Sequence, residues 1–402
     1  MQIGVITVLV GCIAYAMVAH RLSRSIVTAP MVFLALGFGI SAFGIIDGEQ
    51  MHQAESLLHT VAEIALIVLL FLDASQINVA QLRSQSVWPF RMLVFGMPLM
   101  MLFGTLSAVL FFPDWPLTVL ALVAAILAPT DAALGQAVIS NPAVPEKERQ
   151  SLTVESGLND GLALPFILFF ASLVAMHMDA DGERMSWLLF GAKQIILGPL
   201  VGGLVGWVGA KLFVAAEARA LTESTFEGIA ILALAGVAYL SAAQVGGNGF
   251  IAAFVAGLAF GNVAAEHCRF IYEFTETEGQ LLIWVSFLFI GMGLLPNALA
   301  HLDWTMAVYI LLSLLVLRPL AIYLSLLGTR ASALTRLFFG WFGPRGLATA
   351  LFALLVVHEA GHEYADTILI IAINAVWISA LLHGITAAPG ANWYATRSKD
   401  EC

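Results

Sequence analysis

Thirteen stretches of about twenty mostly apolar residues recur along this chain, and their repetition restricts the fold more than any single motif. They lie near 3–20, 28–46, 56–73, 88–111, 116–139, 150–177, 186–213, 223–243, 247–262, 277–295, 304–328, 334–357 and 366–388. In hydrocarbon every backbone N–H and C=O must find a partner within the protein, so stretches of this length are read as membrane-crossing helices. Only 11% of the 402 residues are charged and 60% are hydrophobic. Soluble domains carry roughly 25% charged residues, and a soluble core of this size could not hide so much apolar surface. The expected fold is therefore an all-α polytopic membrane domain over residues 1–389, followed by a short cytoplasmic tail, 390–402. The N-terminus lacks the basic region of a cleaved leader, so the first stretch is expected to stay as a helix.

Lys and Arg are distributed unevenly between alternate loops. Arg21, Arg24, Arg83, Arg91, Lys147, Arg149, Lys211, Arg219, Arg269, Arg330, Arg336, Arg397 and Lys399 fall on one side, and only Arg184 on the other. The positive-inside rule then places the N-terminus outside and the C-terminus in the cytoplasm of a plasma (bacterial inner) membrane. The external loops are acidic, through Asp47, Glu49, Glu55, Asp114, Asp179, Asp181, Glu183, Asp303, Glu359, Glu363 and Asp366. No basic stripe suggests nucleic acid. Cys12, Cys268 and Cys402 have neither paired nor metal-ligand spacing, and no cofactor is expected.

The charges left inside the spans are the informative ones, because ionisable groups in hydrocarbon are expensive and mark function by default. In the fifth span, APTDA breaks an apolar helix at Pro129, with Thr130 and Asp131 beside the break. Freed carbonyls and a hydroxyl there could face a small cation. The sixth span holds VESGLNDG. Ser156 and Asp160, four apart, share one helix face, while Glu155 and Asn159 share a neighbouring one. Glu155 and Asp160 diverge by about 140°, which suggests two jobs: Glu155 neutralised by a buried arginine, and Asp160 holding the transported ion. In the twelfth span, GPRG is a second break centred on Arg345. Two six-helix repeats separated by the seventh span would place the fifth and twelfth spans in corresponding positions and make the repeats inverted. Interrupted helices at matching positions point to a midplane site. Asp131, Glu155 and Asp160 face Arg318 and Arg345, so one carboxylate is in excess. It is assigned to Asp160, where desolvation lets a proton and a cation compete for one group.

Lesser features are given structural readings. Glu63 is placed in an outer vestibule or beside a partner, and Asp73 at the interface. Lys193 is expected to snorkel, and His383 and Asn374 to pack or bond between helices. Gly249, Ala253, Gly257 and Gly261 form a small-residue stripe for close helix packing.

The run APTDAALGQAVISNPAVPEKERQSLTVESGLNDGLALP resembles the fifth and sixth helices of the cation:proton antiporter-1 family, which includes sodium/proton antiporters. GGNGFIAAFVAGLAFGN and GPRGLATALF resemble two further signatures. The resemblance implies a homodimer of thirteen-helix subunits with inverted repeats and crossed, interrupted fifth and twelfth helices. It places Thr130, Asp131, Ser156 and Asp160 at cation-site positions, where they would hold Na⁺. Asn159 matches the Asn of the family's Asn-Asp pair, and Glu155 its structural acid. Arg318 matches the arginine that pairs with that acid, and Arg345 a second one near Asp131. The family's common Thr-Asp-Pro is Thr-Asp-Ala here, through Ala132. Asn-Asp rather than Asp-Asp implies electroneutral, one-for-one exchange.

The expected activity is secondary antiport of Na⁺ or Li⁺ against H⁺, without ATP, since no P-loop occurs. K⁺/H⁺ antiport is the alternative, and a cation channel a more distant one. Neither HExxH nor a nucleophile–base pair is present in the embedded motifs, so an enzyme is not expected.

Overall fold

The computed structural model describes residues 2–22, 26–45, 48–77, 79, 87–178, 184–264, 279–356 and 361–398. Arg24, Arg83, Arg269, Lys399, Asp47, Asp179, Asp181, Glu183, Glu359, Cys268 and Cys402 lie outside the described residues. Among those described, all regular structure is helical. The helices are α1 Gln2–Leu22, α2 Ala29–Ala42, α3 Gly48–Ser75, α4 Val87–Phe111, α5 Leu117–Ile126, α6 Ala132–Ile139, α7 Glu146–Met178 and α8 Arg184–Glu217. They continue with α9 Ser224–Gln244, α10 Gly249–Ala264, α11 Gln280–Ala300, α12 Trp304–Ser325, α13 Ala333–Trp341, α14 Leu347–Val356 and α15 Gly361–Ser398. Taking α5 with α6 and α13 with α14 as interrupted pairs, these helices follow the thirteen apolar stretches one for one. Among the described residues, seven helices are long and apolar enough to cross a membrane. Shorter apolar helices run over Ile6–Ala19 of α1 and through α2, α5, α10 and α14.

Two compact units divide the chain. The first comprises Met1–Ala62, Val87–Ser156 and Ile283–Cys402; the second comprises Glu63–Ser86 and Gly157–Leu282.

Prolines shape the first unit. One π-helical turn interrupts each of α4, α11 and α12, at Met92–Gly96, Ile290–Leu294 and Ser313–Leu317. Each ends two residues before a proline: Pro98, Pro296 or Pro319. A proline has no N–H for the carbonyl four residues back, and its ring collides with that carbonyl. The wider turn relieves the clash. The residue before each proline bonds back five residues instead, as in Met97 N–H to Met92 O, Leu295 to Ile290 and Arg318 to Ser313.

Helix α15 does not stop at Pro389 but runs through it to Ser398. Residues 390–398 are thus helical. Ala387, Ala391 and Tyr394 are buried with Phe338, Phe339 and Phe342 of the α13 region, and that packing holds the last turns in place. Tyr394 stacks on Phe338, and its hydroxyl bonds Thr335 at 2.9 Å and donates to Glu148 at 3.0 Å. Asn374, one of the polar groups of this helix, donates to Ala298 O of α11 at 2.7 Å.

Small residues organise the second unit. A Cβ at Gly202 or Gly206 of α8 would strike the backbone of Ala252 or Ala256 in α10. One at Gly257 or Gly261 would strike the carbonyls of Phe71 and Ser75 in α3. Helix α10 is therefore pressed between two neighbours at backbone distance, as small-residue stripes allow in membranes. Asn262 closes the end of α3, donating to Ile77 O and accepting from Val79 N–H, both at 2.8 Å. Tyr239 donates a hydrogen bond to Glu63, which supplies that acid's partner. Lys193 is exposed on α8.

Overpacking a close-packed interface costs about 1–3 kcal/mol. Gly206→Leu and Gly261→Leu are expected to lower the thermal midpoint of the detergent-solubilised protein. Gly236→Ala is expected to leave it unchanged, because a Cβ at Gly236 meets nothing within 4 Å.

Candidate functional site

Two breaks meet in the first unit. Helix α5 ends at Ile126 and α6 begins at Ala132; α13 ends at Trp341 and α14 begins at Leu347. Pro129 and Pro344 explain both interruptions, since each removes a donor and pushes the preceding residue out of helical geometry. The breaks are joined directly: Asp131 N–H donates to Pro344 O at 2.8 Å. The Asp131 carboxylate accepts from Leu347 N–H at 2.7 Å. An acid thereby caps the positive end of α14, where unpaired amides would otherwise be stranded. Glycine is required next to it, because a Cβ at Gly346 would overlap the Asp131 carboxylate.

Arg345 lies in the second break and is fully buried. Its Nη1 donates to Pro129 O and Gly343 O, each at 3.3 Å, one carbonyl from each break. Its backbone N–H donates to Ser379 Oγ of α15 at 2.6 Å. One guanidinium thus serves carbonyls that both broken helices release.

The second buried arginine does a different job. The π turn in α12 ends at Leu317, so Arg318 opens the following helical segment. Its Nη2 donates to Glu155 Oε1 at 3.2 Å and Oε2 at 3.3 Å, and both side chains are 4% exposed. Thr130 Oγ1 lies 3.4 Å from Glu155 Oε2 and 3.4 Å from Ser156 Oγ. Arg318, Glu155, Thr130 and Ser156 are thus linked in one chain of polar contacts. Gly343 makes room for the guanidinium, since a Cβ there would coincide with it. The second break accordingly supplies space for one arginine and carries the other.

Thr130, Asp131, Glu155, Ser156, Arg318 and Arg345 come together in the first unit. Asn159 and Asp160 belong to the second, one turn further along the unbroken helix α7. Asn159 is buried and Asp160 is partly exposed. The four-residue spacing sets Ser156 and Asp160 on one face of α7. Beside Asp160, Gly161 admits the ring of Phe254 from α10, where a Cβ would clash.

Ser379 was not singled out from the sequence. It sits four residues before His383, whose Nδ1 lies 3.0 Å from both the Ser379 hydroxyl and the Ser379 carbonyl. His383 also faces the Trp341 ring at 5.6 Å, just before the break. The spacing of the two was visible, but nothing local indicated that this face of α15 meets an unwound turn.

Two interrupted helices joined at their breaks, with buried arginines beside them, belong to an all-helical protein of membrane-length spans. Residues 5–393 match the family described as "Sodium/hydrogen exchanger, transmembrane", and the chain belongs to that family. It is 28% identical over 374 residues to the K(+)/H(+) antiporter NhaP2 of Shewanella sp. (strain ANA-3), covering 90% of this chain and 62% of that protein. It is 27% identical over 288 residues to the Na(+)/H(+) antiporter NhaG of Bacillus atrophaeus, covering 69% and 53%. The chain therefore spans less than two thirds of the length of these relatives. Its fold resembles the sodium proton antiporter MjNhaP1 from Methanocaldococcus jannaschii, with a TM-score of 0.79 at 21% identity over 98% of this chain and 97% of that one.

Removing one partner of a buried ion pair strands the other charge, at a cost of roughly 3–5 kcal/mol. Arg318→Met and Glu155→Gln are each expected to lower unfolding stability in detergent by about that order. The double variant is expected to lose less than the two single losses combined, which a double-mutant cycle measures.

Proposed function

We propose that this chain is a secondary antiporter exchanging Na⁺ or Li⁺ for H⁺, one for one, with Asp160 as the group that carries either ion. One observation carries the assignment: Arg318 neutralises Glu155 in place, at 3.2 Å. Asp131 is likewise engaged, at the start of α14. With Glu155 and Asp131 engaged in these contacts, the exchangeable role is assigned to Asp160, which shares a face of α7 with Ser156 and falls at a cation-site position of the family it resembles. A carboxylate in a membrane-embedded helix can bind either a proton or a partly dehydrated cation. Ser156, on the same face of α7, offers a hydroxyl oxygen; Thr130, Asp131 and Asn159 are proposed with it from the family likeness. Hard oxygen donors of this kind suit alkali cations. Asn159 is neutral, so the Asn-Asp pair exchanges one charge per cycle. Alternating access, a homodimer, an inner membrane and an external N-terminus complete the reading, the last supported by the bias of Lys and Arg.

K⁺ is a second reading for the same mechanism. It is favoured by NhaP2, a relative matched along 90% of this chain and named a K(+)/H(+) antiporter.

Everted vesicles holding an acid interior test both readings. Na⁺ or Li⁺ is expected to collapse the pH gradient with the wild-type chain, and Asp160→Asn is expected to abolish the response. Full exchange by the variant would refute the role of Asp160, while a response to K⁺ alone would select the second reading. Valinomycin with K⁺ is expected to leave the Na⁺-driven rate nearly unchanged; strong stimulation or inhibition would show that net charge moves.

A further inference from the structure

Three arginines of the first unit converge on the turn that joins α12 to α13, and none serves the buried site. Arg91, at the residue before the π turn of α4, donates from Nε to Ser325 O at 2.7 Å. Its Nη1 lies beside Gly328, 4.0 Å from where a Cβ would stand. On the adjacent residue, Thr329 O receives Nη2 of Arg336 at 3.5 Å. Arg330 projects from the same turn and is exposed. Each of the two bonded guanidinium groups also lies against a ring: Arg91 at 5.7 Å from Phe95 and Arg336 at 5.5 Å from Tyr323. Such stacking fixes the plane of a guanidinium and leaves its outer edge available to donate.

Among the described residues none of the three arginines has a carboxylate at salt-bridge distance. The first turn of α13 begins here too, adding the positive end of a helix. Apolar side chains surround the cluster: Phe90 and Phe95 on α4, Leu327 on the turn and Leu337 on α13 are 43–55% exposed. Positive charge with free donor edges, rimmed by exposed apolar groups at the end of membrane-length helices, is what a phosphodiester joined to acyl chains requires.

We infer that the α12–α13 turn, with Arg91, Arg330 and Arg336, is a binding site for the headgroup of an anionic phospholipid. The phosphate oxygens accept from the outer edges of the Arg91 and Arg336 guanidinium groups. Arg330 completes the charge, and the acyl chains lie along Phe95 and Leu337. Occupation would brace the turn between α12, which carries Arg318, and α13, which leads into the second break. The inference does not rest on the transported ion or on Asp160.

The test uses the full chain purified in dodecyl maltoside and titrated with dioleoyl-phosphatidylglycerol, dioleoyl-phosphatidylcholine or inorganic phosphate. Thermal midpoint is the readout. Phosphatidylglycerol is expected to raise it saturably, and phosphatidylcholine and inorganic phosphate to leave it nearly unchanged. In R91Q/R330Q/R336Q the half-saturating phosphatidylglycerol concentration is expected to rise roughly a hundredfold, about fivefold for each charge removed. The single variant R330Q, whose side chain is exposed, guards against misfolding and is expected to show a rise of about fivefold. R91K/R330K/R336K, which keeps the charge, is expected to retain the preference for the anionic lipid. An equal stabilisation of R91Q/R330Q/R336Q and wild type would overturn the site. So would an equal loss in K211Q/R219Q, which removes charge from the second unit and would mark a general surface effect. A shift as large with inorganic phosphate would overturn the lipid assignment.

Discussion

In an apolar surrounding, a helix can be broken only where something else satisfies the backbone groups it releases, and the first unit is arranged around that constraint. Two spans are interrupted at Pro129 and Pro344, and the freed groups are answered across the pair. Asp131 N–H meets Pro344 O, and the Asp131 carboxylate meets the first amide of α14. Arg345 reaches one carbonyl from each break, while Ser379 takes its own N–H. Neither break could be formed alone without stranding buried donors or acceptors, each of which costs about as much as a lost hydrogen bond. The two interruptions are therefore a single structural unit.

That arrangement divides the buried charges by task. Arg345 satisfies backbone, whereas Arg318 satisfies a carboxylate, and the difference follows from where each stands. Arg345 is part of the unwound turn itself. Arg318 follows a π turn in α12 and is admitted to Glu155 because residue 343 is glycine. Such a pair contributes little net stability after desolvation. What it does is hold the Glu155 carboxylate in place beside Thr130.

Three prolines outside the breaks have a milder effect. Pro98, Pro296 and Pro319 each leave the helix continuous but widen the turn before them, whereas Pro129 and Pro344 end theirs. Pro344 is held between Gly343 and Gly346 around Arg345, and Pro129 is followed by Thr130 and Asp131, whose side chains take over polar contacts. At Pro98, Pro296 and Pro319 a bond reaching back five residues from the residue before the proline keeps the helix continuous.

Much of this was legible in the sequence. The thirteen apolar stretches, the two proline breaks and the four-residue pairing of Ser156 with Asp160 depend on spacing and hydrophobicity, which act locally. The balance of embedded acids and arginines was legible too, and the family resemblance implied the pairing of Arg318 with Glu155, though charge counting alone could not say which partners meet. Contacts between residues far apart in the chain were decided by the tertiary structure. It seats Arg318 on Glu155 rather than on another acid, turns Ser379 and His383 toward the second break, and packs Ala391 and Tyr394 onto Phe338 so that α15 continues past Pro389. It also presses α10 against α3 and α8 through glycines whose missing side chains only the neighbouring backbone makes necessary. The physical reason is the same in each case. A sequence states which groups must be buried or satisfied, but the partner that satisfies them is chosen by which surfaces the packed helices bring together.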